Sequence, residues 1–171
     1  ESEQVPSKAA GTLTEHEGTF TFEASEAGMV SYFVIGTTEP EFVTAVKALH
    51  DKMYNNSTHS EDMFAVKNAD GKWTLRASAG QPYRYPVSYT GADGNTKTAE
   101  VTIYAQEMQE GKNEIMLSGL QPNTEYKLYL YALDAAGNWS ATGGLKSEFT
   151  TLKITPIVSE APKLMGFYGE K

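Results

Sequence analysis

Tyr129 and Tyr131 stand two residues apart in the stretch LQPNTEYKLYLYALDAAGNWS, residues 120–140. A strand sends alternate side chains to opposite faces, so these rings share a face with Lys127 and Leu133, while Tyr126, Leu128, Leu130 and Ala132 share the other. Aromatic rings aligned on an open sheet face form a stacking platform for sugar rings or an extended partner, with acidic side chains nearby to bond hydroxyl groups. Tyr104, Tyr83, Tyr85 and Tyr89 are further candidates for that platform. The structural alternative is that another part of the chain covers the rings, and the rarity of large exposed apolar patches favours it. Trp139, in a loop just after Gly137 and Asn138, is a separate candidate contact, because binding groups are often carried on the loops of β scaffolds. Packing against a neighbouring loop is its alternative.

Catalytic chemistry finds little support. His16, His50 and His59 share no metal-ligand spacing and are expected to be solvated. There is no Gly-x-Ser-x-Gly turn and no phosphate-cradling glycine loop. A pair of catalytic carboxylates would meet only in space, so the 22 acidic residues single none out. The absence of cysteine removes disulfides and thiolate metal sites, and neither a metal nor a cofactor is expected. A net charge of −8, with 14 basic residues scattered singly, argues against nucleic acid and against an anionic membrane surface. No apolar run approaches the length of a membrane span. Asn55-Asn56-Ser57-Thr58 and Asn138-Trp139-Ser140 contain glycosylation triplets of a kind common by chance.

The elements that must position these residues follow from periodicity. TFTFEAS (19–25) alternates Phe20, Phe22 and Ala24 against Thr21 and Glu23, as a half-buried strand does. MVSYFVIG (29–36) is apolar on both faces and predicts a central strand. The period then changes: Thr38-Glu39-Pro40-Glu41 has capping-box form, and Phe42, Val46, Leu49 and Met53 follow at helical spacing, predicting a helix over 38–54 whose stripe faces protein. Two hairpins follow, turning at Asp70-Gly71 and near Asp93-Gly94, and Trp73, in a strand of the first, is expected in the core of the inserted segment. NEIMLSGL, the tyrosine strand and LKSEFTT complete the pattern. The first residues, ESEQVPSKAAG, are polar, carry no charged-then-apolar leader pattern and are expected to form a flexible arm at 1–11. Residues 153–171 suit a linker or a strapped-down tail.

The core face of the tyrosine strand has a particular entry. In Leu120-x-Pro122-Asn123-Thr124-x-Tyr126, proline fixes a turn angle, Asn123 tolerates the left-handed conformation, and the Tyr126 hydroxyl can bond back to the preceding backbone. LSGLQPNTEYKLYLYALDAAGNWS thereby resembles the second half of a fibronectin type III domain, in which Gly-Leu-x-Pro-Gly-Thr-x-Tyr precedes an alternating strand. Carried over, Leu117, Leu120, Tyr126, Leu128 and Leu130 fall on that family's core positions. Asn123 stands where the family usually has glycine, and Ala24 stands where it has an early tryptophan. The chain is also similar to divergent fibronectin-like domains of surface and secreted proteins from Bacteroidetes, which place a Pro-initiated helical piece after the third strand.

The resemblance implies an immunoglobulin-like, fibronectin type III-like antiparallel β-sandwich of seven strands over 12–152, mainly β, with an α-helix and β-hairpins inserted at about 37–98. It implies an extracytoplasmic location: cell surface, periplasmic or secreted, with lipoproteins among such relatives. The expected function is a non-catalytic binding or presentation module for a protein or polysaccharide ligand. A carbohydrate-binding accessory domain, an enzyme or enzyme inhibitor using the insertion, and a passive spacer are the alternatives.

Overall fold

The computed structural model describes residues 13–54, 60–139 and 145–153. The arm at 1–11, the triplets at 55–58, His59, Ser140 and the tail from 154 onward lie outside the described residues. In chain order the elements are β1 (Gly18–Ala24), β2 (Gly28–Gly36), α1 (Pro40–Tyr54), β3 (Ala65–Lys67), β4 (Trp73–Leu75), β5 (Tyr83–Thr90), β6 (Thr96–Met108), β7 (Gly111–Leu117), β8 (Glu125–Asp134) and β9 (Leu145–Thr150). The described chain is therefore mainly β with one helix. All pairings are antiparallel: a five-stranded sheet ordered β5-β6-β2-β8-β9, a two-stranded sheet β1-β7, and the small hairpin β3-β4.

Two apolar faces explain the central position of β2 and β8. On one side, Val30 and Tyr32 of β2 and Tyr126, Leu128, Leu130 and Ala132 of β8 pack with Phe20 and Phe22 of β1 and Ile115 and Leu117 of β7. On the other, Phe33 and Ile35 of β2 and Tyr129, Tyr131 and Leu133 of β8 pack under Val46 of α1 and Met63, Phe64, Ala65 and Trp73 of the hairpin region. The five-stranded sheet thus lies between the two-stranded sheet and a layer made of α1 and β3-β4. A strand buried on both faces loses the polar half of its alternation, which is why MVSYFVIG reads as continuous apolar sequence.

Helix α1 begins at Pro40, where the missing N–H costs nothing, and the Glu39 carbonyl accepts from the amides of Phe42 and Val43 at 3.0 and 3.2 Å. The cap is therefore Glu39, one residue after the Thr38 of the sequence pattern. Its inner stripe carries Phe42, Val46, Leu49 and Met53, all packed on the core, and Lys47 pairs with Asp51 at 2.6 Å on the outer face. The hairpin turns have Gly71 at φ 87° and Gly94 at φ 84°, the conformation that glycine adopts without a Cβ clash.

The entry to β8 is tied by side chains as well as by packing. Among the described residues Asn123 is the one non-glycine with positive φ, at 50°. The Tyr126 hydroxyl accepts from the Gln121 amide at 2.7 Å, the Thr124 hydroxyl donates to the Pro122 carbonyl at 2.9 Å, and the Thr151 hydroxyl donates to the Gln121 carbonyl at 2.6 Å. Leu117 and Leu120 are each 5% exposed and pack beneath this corner. Tyr126→Phe removes the acceptor of a part-buried amide, and a loss of about 1–2 kcal/mol is expected. For a domain of this size that lowers Tm by roughly 2–4 °C per kcal/mol, readable in a thermal melt. An unchanged Tm would place the hydroxyl outside the network that holds the corner.

Candidate functional site

The face of β8 that bears Tyr129 and Tyr131 is closed. Their exposures are 3% and 2%, so their candidacy as a binding platform is corrected: the layer of α1 and β3-β4 covers them and occupies the space a ligand would need. The rings belong to a continuous stack. Tyr129 lies 4.7 Å from Phe33, Phe33 is 5.2 Å from Phe64, Phe64 is 5.3 Å from Tyr131, and Tyr131 is 5.5 Å from Trp139 with planes 4° apart. Phe64 of the added layer sits between Phe33 and Tyr131 of the sheet, which joins the two more firmly than aliphatic contact at equal area.

His50 also departs from expectation. It is 4% exposed, with its ring 5.6 Å from Tyr129 and Nδ1 3.3 Å from Asp51. The cause is helical geometry: His50 follows Val46 by four residues and so shares the buried stripe. His16 is exposed, its Nδ1 2.9 Å from the Leu120 carbonyl. Among the described residues no group of three or more His, Cys, Asp or Glu is placed to hold a metal ion.

Trp139 is partly buried, edge-on to Trp73 at 6.1 Å as well as stacked on Tyr131. Its loop is fixed by Asp134, whose carboxylate accepts from the amides of Ala136 and Asn138 at 2.9 and 2.8 Å. The Trp73 amide donates to the Gly137 carbonyl at 3.1 Å. The indole therefore clamps the hairpin against the sheet, and this accounts for a tryptophan in a turn without a ligand.

The remaining tyrosines separate onto two faces. Tyr104 is 42% exposed and stacks on Tyr32 at 5.6 Å, on the side away from α1. Tyr83, Tyr85 and Tyr89 lie on the α1 side, because Tyr83 pairs with Ile103 in the β5-β6 ladder and Ile103 faces the helix. Tyr89 is partly buried against Phe42 at 5.4 Å. Tyr83 is 38% exposed and meets Tyr85 edge-on at 6.3 Å.

Arg76 organises this last pair. Its guanidinium lies 5.9 Å from the Tyr83 ring and 5.2 Å from that of Tyr85. Nε donates to the Asp62 carbonyl at 2.9 Å and Nη2 to Glu61 Oε1 at 3.3 Å. The Tyr85 hydroxyl reaches Met53 Sδ at 3.8 Å, and burial pushes its pKa above the ordinary tyrosine value while Arg76 pulls the other way. Beside the cluster runs a groove of about 290 Å³ lined by Leu49, Lys52, Met53, Ser60 and Glu61. The set offers an exposed ring edge, a carboxylate, an ammonium group and a hydroxyl: the means to hold a polar ligand by stacking and hydrogen bonds. Arg76, Glu61, Lys52 and Ser60 escape sequence reasoning, since they come from a loop, a helix and a strand end with no common spacing. The one usable signal is the alternation of Tyr83, Tyr85 and Tyr89 along β5.

Compared with protein-family models, curated proteins and solved structures, the chain matches none. Among the described residues no helix is long and apolar enough to cross a membrane.

Proposed function

We propose that the chain is a non-catalytic binding module of a surface or secreted protein, built on a fibronectin type III-like sandwich to which α1 and β3-β4 add a third layer. Three features support the sandwich. β1 pairs with β7 as strands B and E of that fold do, β2, β8 and β9 run in the order C, F, G, and the Tyr126 hydroxyl meets upstream backbone at the corner before β8. The extracytoplasmic location rests on the resemblance of the 117–140 segment to that family.

The observation that carries the binding role is Tyr83: an exposed ring braced at 5.9 Å by the Arg76 guanidinium, whose partner Glu61 lines a groove, in a molecule whose tyrosines at 129 and 131 are consumed by the core. A ring held in place without being buried is ready to contact a ligand at little entropic cost. An array of glycans and extracellular proteins tests the role. At least one class is expected to bind, with binding lost on Tyr83→Ser at unchanged Tm. Absence of binding across the array, or binding indifferent to Tyr83→Ser, would overturn the reading in favour of a spacer or another surface.

A further inference from the structure

We infer that the free edge of β7 takes an extended segment of another protein as an added strand, laid over the open sheet face that bears Tyr104. This surface is separate from the one assigned to Tyr83, since the two tyrosines lie on opposite sides of the larger sheet. Among the described residues β7 has one neighbour, β1. Two glutamines mark its other edge: Gln109 Nε2 donates to the Lys112 carbonyl at 3.0 Å, and Gln106 Nε2 to the Glu114 carbonyl at 2.9 Å. In an antiparallel strand the N–H and C=O of one residue point the same way and successive residues alternate, so Lys112, Glu114 and Met116 direct their backbone away from β1. The glutamines serve two of these carbonyls and none of the three amides. An incoming strand supplies acceptors for the amides and replaces two side-chain bonds by ladder bonds. The outer edge of β5, by contrast, carries Pro86, which withholds a donor, and β7 has no proline.

The place of that edge decides what fits. Phe20 of β1 lies 4.8 Å from Phe149 of β9, whereas β7 meets β6 through Gln106, so the two-stranded sheet covers β9, β8 and β2 and stops over β6. Beyond it the larger sheet continues as a ledge. Tyr104 stands there, exposed and held against Tyr32, and Arg84, Pro86, Ser88 and Thr90, on the same face by register, are all exposed. Two strands spaced at about 4.8 Å make a ledge about 10 Å wide, room for one or two added strands. A second copy pairing through its own β7 is excluded, because the two-fold axis of an antiparallel edge pair puts both larger sheets on one side, where the β5-β6 ledge of each collides with the other. The occupant is thus a lone extended segment. Every second side chain of it faces Tyr104 and is apolar, while the alternate ones lie beside Lys112, Glu114 and the 69% exposed Met116. Charge fixes one of these. Lys112 is opposite Glu23 in the β1-β7 ladder and Arg84 is matched on the ledge by Glu100, but Glu114 is opposite uncharged Thr21, so a basic residue belongs next to Glu114.

The test is an amide NMR titration of the whole chain with the synthetic peptide Ser-Val-Thr-Val-Lys-Val-Thr-Val-Ser, followed by hydrogen exchange of the complex. Binding is expected to slow exchange at the amides of Lys112, Glu114 and Met116 and to shift Thr102 and Tyr104. Met116→Pro removes one outward amide without touching the pairing with β1, and should weaken binding about tenfold or more, while Met116→Ala, which keeps the amide, should weaken it far less. The same peptide N-methylated on the alternate amides of its pairing edge should not bind the parent chain, a comparison that requires no variant to fold. Glutamate in place of its lysine should weaken binding severalfold. Failure of the peptide to bind, equal binding of the N-methylated form, or protection confined to another strand would overturn the assignment.

Discussion

Replacing Tyr129 and Tyr131 together by serine is expected to abolish the cooperative unfolding transition. Each ring is at most 3% exposed; Tyr129 stacks on Phe33 of its own sheet and Tyr131 on Phe64 of the opposite layer. Truncating a buried aromatic costs about 3–5 kcal/mol, and a domain of this kind holds about 5–15 kcal/mol in all. The two losses are not strictly additive, because Phe33 and Phe64 touch both halves of the stack, yet together they approach the whole stability. Near-ultraviolet circular dichroism and a thermal melt read the outcome. The ring and not the hydroxyl is what matters at Tyr131: its OH is buried, has no hydrogen-bond partner among the described residues, and has its pKa pushed well above the ordinary range by burial. Tyr131→Phe is therefore expected to leave stability unchanged or to raise it slightly, the opposite sign to Tyr126→Phe. A double serine variant that melts with the parent would put both rings outside the core.

What the sequence discloses and what it hides divides along locality. Alternation in 126–133 announces that both faces of β8 are apolar, because that information is carried by adjacent residues. Which segment covers the second face depends on Phe64 meeting Phe33 and Tyr131, contacts between distant parts of the chain that no local period encodes. The turns at Gly71 and Gly94 and the left-handed Asn123 are legible for the same reason that alternation is: each is a steric requirement of one or two residues. Even the separation of Tyr104 from Tyr83 follows once the second turn is placed, since the register Thr90 to Thr96 propagates to Tyr83 and Ile103 and sends Tyr104 to the far face. His50 misleads by residue type: its place in the stripe of Val46, Leu49 and Met53 says buried, while its chemistry suggests solvent. Arg76 is hidden for a different reason. Its partners Tyr83, Tyr85, Glu61 and Asp62 converge on it only because its own amide donates to the Phe64 carbonyl and folds the loop back.

A single methyl at the start of β2 should do about as much harm as the loss of one of those aromatic rings. Gly28 faces Asp134 across the β2-β8 ladder and Met108 across β2-β6. A Cβ placed there falls on the carbonyl oxygen of Leu133 and comes within 2.8 Å of the Asp134 Cα. Both are backbone atoms, which cannot swing aside as a side chain does, so the strands themselves must part. The displacement would reach Asp134, whose carboxylate orders the 134–139 loop, and through it Trp139, which rests on Tyr131. Overpacking a core costs about 1–3 kcal/mol and more where backbone must move, so Gly28→Ala is expected to lose at least about 3 kcal/mol. Gly36, at the other end of the same strand, provides the contrast. Its added Cβ would meet Tyr126 Cε1 at 3.4 Å and Thr124 Cγ2 at 3.7 Å, ordinary contacts, and alanine there also restricts the unfolded chain. Gly36→Ala is expected to stay within about 1 kcal/mol of the parent. Urea midpoints at equal slope measure both variants. Equal midpoints for the two would mean that β2 and β8 do not approach as closely at Gly28 as the ladder requires, and the link from that strand end to the Trp139 clamp would fail with it.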